Sequence, residues 1–403
     1  MVVQVALAVV LLIGSGLMLR TASALKQVPP RFTQPRQILT MQISIPDQTS
    51  ILNAEVPVQE AATRVYYEIL DRIKAIPGVE SASISNGMTM DGSRVLGFGG
   101  SIFMADRTYG AGEPPPLRRF KYVSPGYFKT MGNPLLAGRD LTLTDIQEAR
   151  PVGVVSEALA RELWHEPAAA LGQRIQEVPK ARWREIVGVA GNEHDEGPGH
   201  KASAIVCWPI PMRHFFQREI VIARDQLLGI RSVQGDATKL LKYVRQAVWS
   251  VNKNIPLAKV RTMQEIYNKS MARPSFALVM LAIAAGMSLL LSVVGIYGVI
   301  SYAVSQRARE IGIRIALGAS PRSVRMRFIR EGSLLIAIGL VCGLAAATAL
   351  SRLMTSLLFE VRPLDPATYL TVSAVLAATA LLASYIPARR ATKIEPMEAL
   401  WAE

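Results

Sequence analysis

The segment Asn192-Glu193-His194-Asp195-Glu196-Gly197-Pro198-Gly199-His200 gathers the residue types that ligate divalent metals, two imidazoles and three carboxylates within nine residues. A zinc-like ion needs three or four such donors held at fixed spacing by their elements. A Gly-Pro-Gly loop supplies no such frame, so these side chains read as solvated and no metal site is expected. His165 and His214 have no partner in register and read as surface residues. The chain lacks G-x-x-x-x-G-K-[ST], H-E-x-x-H, G-x-S-x-G and C-x-x-C, so neither a P-loop nor a familiar nucleophile or metal motif is present. No catalytic residue and no cofactor is assigned, and the expectation is a chain that is not an enzyme.

A second set of residues suits docking. Residues 301–319, SYAVSQRAREIGIRIALGA, carry Arg307, Arg309 and Arg314 around Glu310 and end in a Gly-Ala-Ser-Pro helix break. Ile311, Ile315 and Ala316 share one helical face, and Glu310 lies three residues after Arg307 and four before Arg314, within reach of either on a helix. Arg322 and Arg325 follow closely. A basic amphipathic helix tethered at both ends to membrane spans is a surface that a cytoplasmic partner can push against. The plainer reading is a topogenic basic loop.

The elements that must hold this segment are apolar. Half of the 403 residues are hydrophobic and the mean hydropathy is +0.25. Residues 1–19, 274–306, 332–351 and 366–388 contain no Asp, Glu, Lys or Arg, and each can cross ~30 Å of hydrocarbon at ~1.5 Å per residue. The expected organisation is a first transmembrane helix at 1–19, a large hydrophilic domain at 20–273, and a second helix at 274–306. A cytoplasmic coupling helix and loop at 307–331 lead to a third helix at 332–358. An outer loop at 359–365, a fourth helix at 366–388 and a cytoplasmic tail at 389–403 follow. The fold class is thus a membrane protein of four transmembrane α-helices with a large two-lobed α+β extracytoplasmic domain between the first and second.

Charge sets the orientation. The net charge of +14 concentrates in Arg307, Arg309, Arg314, Arg322, Arg325, Arg327 and Arg330 of the second loop, with Arg389, Arg390 and Lys393 after the fourth span. Short Arg-rich loops stay in the cytoplasm, and long domains translocate largely regardless of charge. The basic balance therefore marks topology, and nucleic-acid binding is not expected. Cys207 and Cys342 fall in different compartments on this layout, so the outer domain holds itself together by its core. Residues 1–19 lack a positive n-region, and Ala22-Ser23-Ala24 resembles a cleavage site. A retained first span is the expectation, with a cytoplasmic start missing before it. No span carries an ionisable residue at its centre, which argues against a proton relay or ion pathway. Gly339 and Gly343 form a GxxxG helix-packing pair in the third span, and Ala282 and Gly286 a weaker one in the second.

In the outer domain, residues 37–45 read as a strand, 58–76 as an amphipathic helix with Val65, Ile69, Ile73 and Ile76 on one face, and 79–85 as a strand after Pro77-Gly78. Residues 107–116 read as a loop. Phe120 to Val123 leads to Ser124, which can cap a short helix with Pro125 at its first position. A second unit comprises strands near 152–155, 173–177, 184–189 and 220–223, with Ser156 capping a helix to Trp164. A helix spans 237–251, and Thr262-Met263-Gln264-Glu265 is a capping-box pattern opening the helix into the membrane. Ser320-Pro321 and Asp365-Pro366 mark two further helix starts.

Residues 299–319 (VISYAVSQRAREIGIRIALGA), Ser356-Leu357-Leu358-Phe359, Pro363-Leu364-Asp365-Pro366, Pro387-Ala388-Arg389-Arg390-Ala391-Thr392 and Pro396-Met397-Glu398-Ala399-Leu400 resemble the MacB/FtsX family, the ABC3-type permeases of ATP-binding-cassette systems. Val123-Ser124-Pro125-Gly126-Tyr127-Phe128, Gly138-Arg139-Asp140 and Val187-Gly188-Val189 resemble that family's periplasmic core. The chain looks like half of a bacterial duplicated permease, while residues 193–231 match the pattern poorly. The resemblance implies a bacterial inner-membrane, multi-pass permease that turns ATP hydrolysis by a separate P-loop ATPase into motion of an extracytoplasmic domain, for export of an envelope or periplasmic substrate. The alternative it implies is an FtsX-like regulator of a cell-wall enzyme that transports nothing, and a third reading is an unrelated membrane-anchored domain. Implied partners are the ATPase, a second permease copy or half, a periplasmic adaptor and membrane lipid. Implied coupling residues are Arg307, Arg309, Glu310, Arg314, Arg322 and Arg325.

Overall fold

A computed structural model describes residues 2–27, 33–45, 55–90, 99–109, 114–195, 202–233, 235–306, 321–353 and 361–391. The chain divides into two compact units, one of Met1–Gln27 with Ala272–Glu403 and one of Val28–Met271.

The second unit begins with β1 (Ile38–Ser44), α2 (Val56–Lys74) and β2 (Val79–Ser85); the first helix of the chain, α1 (Val2–Gln27), belongs to the other unit. In α2 a proline opens the first turn, where a missing N–H costs nothing. Its buried face is Ala62, Tyr66, Ile69, Leu70 and Ile73, so the stripe turns toward Tyr66 and Leu70 relative to the expected Val65 and Ile76, which are only partly buried. The chain reverses at Gly78, whose φ of +91° suits only a residue without a Cβ. Much later come β13 (Asp225–Ser232), α6 (Leu241–Val251) and β14 (Leu257–Thr262). The strand order is β14-β1-β13-β2, with every neighbouring pair antiparallel. Two βαβ halves therefore interleave in one sheet. Leu39, Met41, Ile43, Ile84, Leu228 and Ile230 face the α2 and α6 core. Ile38 and Leu227 belong to a second core with Met263 and Ile266.

Everything between β2 and β13 is an inserted lobe. It contains β3 (Gly99–Ser101), β4 (Phe103–Met104), β5 (Leu117–Val123), α3 (Tyr127–Met131), β6 (Leu135–Gly138), α4 (Leu143–Gln147), β7 (Val152–Ser156), α5 (Glu157–Trp164), β8 (Arg174–Gln176), β9 (Arg184–Ala190) and β10 (Ile205–Pro209). The hairpin β11 (Met212–Phe215) and β12 (Arg218–Val221) forms a separate sheet. The expected two lobes share one sheet, continuing β2-β5-β10-β7-β9-β8-β4. At the joint, β2 and β5 are registered only at Ser85 and Val123. Asn86 reinforces it, its Oδ1 accepting from Tyr122 N at 2.9 Å and its own N–H donating to Tyr122 O at 3.1 Å.

Two expected caps have different outcomes. Thr262 caps the next helix, α7 (Met263–Gln306), with Glu265 N donating to Thr262 Oγ1 at 3.2 Å and Thr262 N to Glu265 Oε2 at 3.3 Å. Ser124 does not cap α3. Gly126 holds the N-cap position at φ +84°, and the buried Ser124 hydroxyl accepts from Ile84 N at 3.0 Å, a bond that secures β2 instead.

In the first unit the helices are α1 (Val2–Gln27), the later part of α7, α8 (Pro321–Leu353) and α9 (Pro366–Ala391). They cover all four apolar blocks. Among the described residues, α1 at Val2–Thr21 and α8 at Ile336–Leu353 hold stretches long and apolar enough to cross a membrane, while Ala282–Gly295 and Pro366–Thr379 are shorter apolar stretches. Ser320 lies outside the described residues. Asp365 caps α9, accepting from Thr368 N at 2.9 Å.

Candidate functional site

Of the coupling residues, Arg307, Arg309, Glu310 and Arg314 lie outside the described residues. Arg322 and Arg325 fall in the opening turns of α8.

The helices of the first unit pack on α1. A Cβ added at Gly339 of α8 would sit 2.8 Å from Val5 Cβ and 3.1 Å from the Val2 carbonyl oxygen. One at Gly343 would sit 2.7 Å from Val9 Cβ and 3.0 Å from Ala6 Cα. These glycines let two backbones approach where lipid gives no hydrophobic drive. Gly16 of α1 receives the Thr368 methyl of α9, and Gly295 of α7 receives the Gln4 side chain. Ser292 donates to Gln4 O at 3.1 Å, and Arg20 pairs with Asp365 at 2.6 Å. Gly286, by contrast, has nothing within 4 Å of its would-be Cβ, so the weaker small-residue pair has no partner among the described residues. Val5, Val9, Ile13, Ile336, Ala347 and Leu376 form the core of this set. Away from it, Phe276, Ile283, Met287, Leu290 and Val294 of α7 are exposed.

The second unit contains a buried charge cluster beside the β2–β5 joint. Lys121 projects from β5, and its ammonium bonds Glu193 Oε2 and, at 2.8 Å, Asp195 Oδ1. The three side chains are 5%, 8% and 15% exposed, so the expectation that these acids are solvated is wrong. Two carboxylates in a loop cannot stay buried without a cation, and Lys121 supplies it. Glu193 also accepts from Thr89 Oγ1 at 2.9 Å, Tyr127 Oη at 3.3 Å and Asn133 Nδ2 at 3.1 Å. The cluster thus joins the segment after β2, β5, α3 and the loop after β9.

Burial works against the Lys121 charge, but Asp195 and Glu193 outweigh it and hold the ammonium well above the usual lysine range. Burial also works against the Glu193 charge, and Lys121 outweighs it, leaving this carboxyl below its ordinary value. Asp195 lies above its ordinary value, because burial and the like charge of Glu193 exceed its share of Lys121. One cation against two anions leaves Asp195 as the group that takes a proton first. Cys207, opposite Lys121 in the β5–β10 register, is pushed well up by burial and is a neutral thiol with no nucleophilic character at neutral pH. The cluster fixes structure and performs no evident chemistry. Among the described residues no group of three or more His, Cys, Asp or Glu is placed to hold a metal. Sequence reasoning missed Lys121, whose only signal was a lone lysine between Phe120 and Tyr122 in a strand.

Two family profiles match the chain. The MacB-like periplasmic core domain covers residues 2–226, more than half of the 403, and the FtsX-like permease C-terminal region covers 282–396. The macrolide export ATP-binding/permease protein MacB of Bdellovibrio bacteriovorus is 25% identical over 69% of this chain and 43% of its own length. The uncharacterized ABC transporter permease YvrN of Bacillus subtilis is 27% identical over 69% of this chain and 68% of its own. The chain therefore spans less than half of that MacB protein. The periplasmic region of MacB from Actinobacillus actinomycetemcomitans superposes with a TM-score of 0.37 at 12% identity, covering 61% of this chain and 97% of that structure.

Proposed function

The chain belongs to the MacB/FtsX-like family of ABC-transporter permeases, and from that premise we propose that it converts ATP hydrolysis by a separate P-loop ATPase into motion of its extracytoplasmic domain, driving export of an envelope or periplasmic substrate. The observation that carries this reading is the presence on one chain of a MacB-like periplasmic core and an FtsX-like permease region. The four-span topology, with the 307–331 loop and the tail in the cytoplasm of a bacterial inner membrane, is part of the proposal. Support comes from the arginine-dense loop and from the exposed apolar stripe of α7, which fits lipid better than water. A second permease copy or half and a periplasmic adaptor complete the proposed assembly. The FtsX-like regulator remains the alternative, and an envelope cell-wall enzyme recovered in place of an adaptor would favour it.

In this reading Arg307, Arg309, Glu310, Arg314, Arg322 and Arg325 form the ATPase-docking surface. An exposed Arg–Glu pair on a helix contributes only ~0.3–0.5 kcal/mol to folding, whereas complementary charge across an interface sets docking and specificity. Affinity capture of the full chain from membranes should bring down a P-loop ATPase. The Glu310→Arg, Arg314→Glu double variant, at matched permease level, should recover about tenfold less, the factor for ~1.4 kcal/mol of docking energy. No ATPase with the wild type would refute the function. Equal recovery with both would leave the function standing and refute the role of these residues.

A further inference from the structure

Residues 237–264 contain no acid and six bases, Lys239, Lys242, Arg245, Lys253, Lys259 and Arg261. The first three share one helical face. A 3-10 turn at Ala237–Leu240 leads into α6, and Ala237, Leu240, Val244 and Val248 are buried in the core beneath it. The helical period then turns Thr238, Lys242, Arg245 and Trp249 outward in one row, with Lys239, Tyr243 and Gln246 beside it. All seven are exposed, Tyr243 at 55% and Trp249 at 40%.

The neighbouring acids do not neutralise this face. Lys239, Lys242 and Arg245 make no ion pair with a carboxylate among the described residues. Asp236, just before the turn, acts on Lys239 but spends its carboxylate on the Thr238 N–H at 2.9 Å. On α2, Glu68 is held by Arg72 at 2.6 Å, and Arg72 donates in turn to Ser250 of α6 at 2.5 Å. Arg245 lies over the Trp249 ring, 5.5 Å from its centroid, and the indole donates to the Ile255 carbonyl at 3.1 Å. The indole is therefore fixed in place at the end of the row. Trp, Tyr and Arg are the residues that carry most of the energy of protein interfaces.

Charge and shape select the occupant. A second copy is a poor fit, because a chain of net charge +14 brings like charge to a basic face. A lipid surface is also a poor fit. A helix lying in a bilayer interface needs an apolar face toward the acyl chains, and the apolar face of α6 is spent on the core. The row from Thr238 to Trp249 runs roughly 16–18 Å, about three turns of a second helix. Carboxylates at three- or four-residue spacing share one face of such a helix and match the spacing of Lys239, Lys242 and Arg245.

We propose that the outward face of α6 is a docking site for an acidic helical segment of a partner protein, with Trp249 as its apolar anchor. The site does not depend on the ATPase reading and stands or falls separately.

The test is fluorescence anisotropy of a labelled helical peptide of alanine and glutamate, with a glutamate at every third or fourth position, titrated with the full chain in a non-ionic detergent. The peptide should bind saturably, and a version with lysine in place of glutamate should not. The Lys242→Glu, Arg245→Glu double variant should bind at least about tenfold more weakly, as expected when charge complementarity is reversed. Lys242→Arg with Arg245→Lys should retain binding. Arg107→Glu with Lys180→Glu, an equal charge change at exposed positions of the inserted lobe, should also leave it unchanged. Phosphatidylglycerol added to the micelles should compete no better than phosphatidylcholine. Failure of the acidic peptide to bind would overturn the proposal, as would equal affinity in the two charge-reversed variants. Selective competition by phosphatidylglycerol would overturn it in favour of a lipid surface.

Discussion

One ammonium facing two carboxylates decides what residue 121 can become. Lys121→Met keeps the bulk of the side chain but strands Glu193 and Asp195 in a buried setting, and removing one partner of a buried ion pair costs about 3–5 kcal/mol. The sign of the pH dependence follows from the shifts. In the wild type Glu193 titrates below its ordinary value, so its contribution is present above the ordinary carboxylate range of ~4.3 and is lost as pH falls through the folded value. Asp195, raised in the fold, opposes folding slightly at neutral pH and stops doing so when it protonates. In the variant both carboxyls lose their cation and move upward, so the deficit is full at neutral pH and shrinks as acid neutralises them. Denaturant melts of the two proteins should therefore differ by about 3–5 kcal/mol near pH 7.5 and by much less near pH 5. The Lys121→Met, Glu193→Gln double variant should recover part of the neutral-pH loss. A gap that is constant with pH would show that packing, not charge, is what Lys121 supplies.

At the level of elements, the sequence reveals what its local patterns encode and conceals what depends on distant partners. The α2 periodicity, the Thr262–Glu265 capping box and the Ser156 cap, which accepts from Leu159 N at 3.4 Å, are contacts within one turn and could be read directly. The strand β13 could not, because it is buried on both faces between β1 and β2, with Leu227 and Leu228 in different cores, and so shows no polar alternation. The insertion between β2 and β13 separates two βαβ halves that only the sheet order reunites. Likewise Glu193 and Asp195 lie more than seventy positions from Lys121, and no local pattern announces their pairing. Small-residue spacing suggested two helix-packing pairs, and space around each glycine separates them. Gly343→Ala must push Ala6 backbone atoms at 3.0 Å, a strain that typically costs about 1–3 kcal/mol. Gly286→Ala meets nothing within 4 Å and should be neutral or stabilising by about 0.5–1 kcal/mol through helix propensity. Thermal melts in detergent should show the first variant less stable than wild type and the second no less stable. Equal loss at both would mean that α1 does not hold α8 through this contact.

For the whole molecule, the decisive property is which side of the membrane each part occupies. The helices cover four apolar blocks, and the face of α7 bearing Ile283, Leu290 and Val294 is 52–66% exposed. Such a stripe is unfavourable in water and natural in hydrocarbon, which gives the first unit its solvent but not its direction. Direction comes from charge. In the proposed topology, seven arginines against Glu310 in the segment before α8 and its first turns, together with Arg389, Arg390 and Lys393 after the fourth block, keep both segments in the cytoplasm. That proposal puts an even number of spans between those two segments and one span between the first of them and residues 28–271, which places that unit outside. Labelling with a membrane-impermeant maleimide tests this in a background where Cys207 and Cys342 are replaced by alanine. Ser232 is a poor reporter at 3% exposure, whereas its neighbour Val233 is 53% exposed. The Val233→Cys chain should be labelled in intact spheroplasts. The Ser323→Cys chain should be labelled only after the membrane is opened. If both react from the same side, an even number of spans separates the two positions. The coupling loop would then share a compartment with the MacB-like core, and no cytoplasmic ATPase could push on one to move the other.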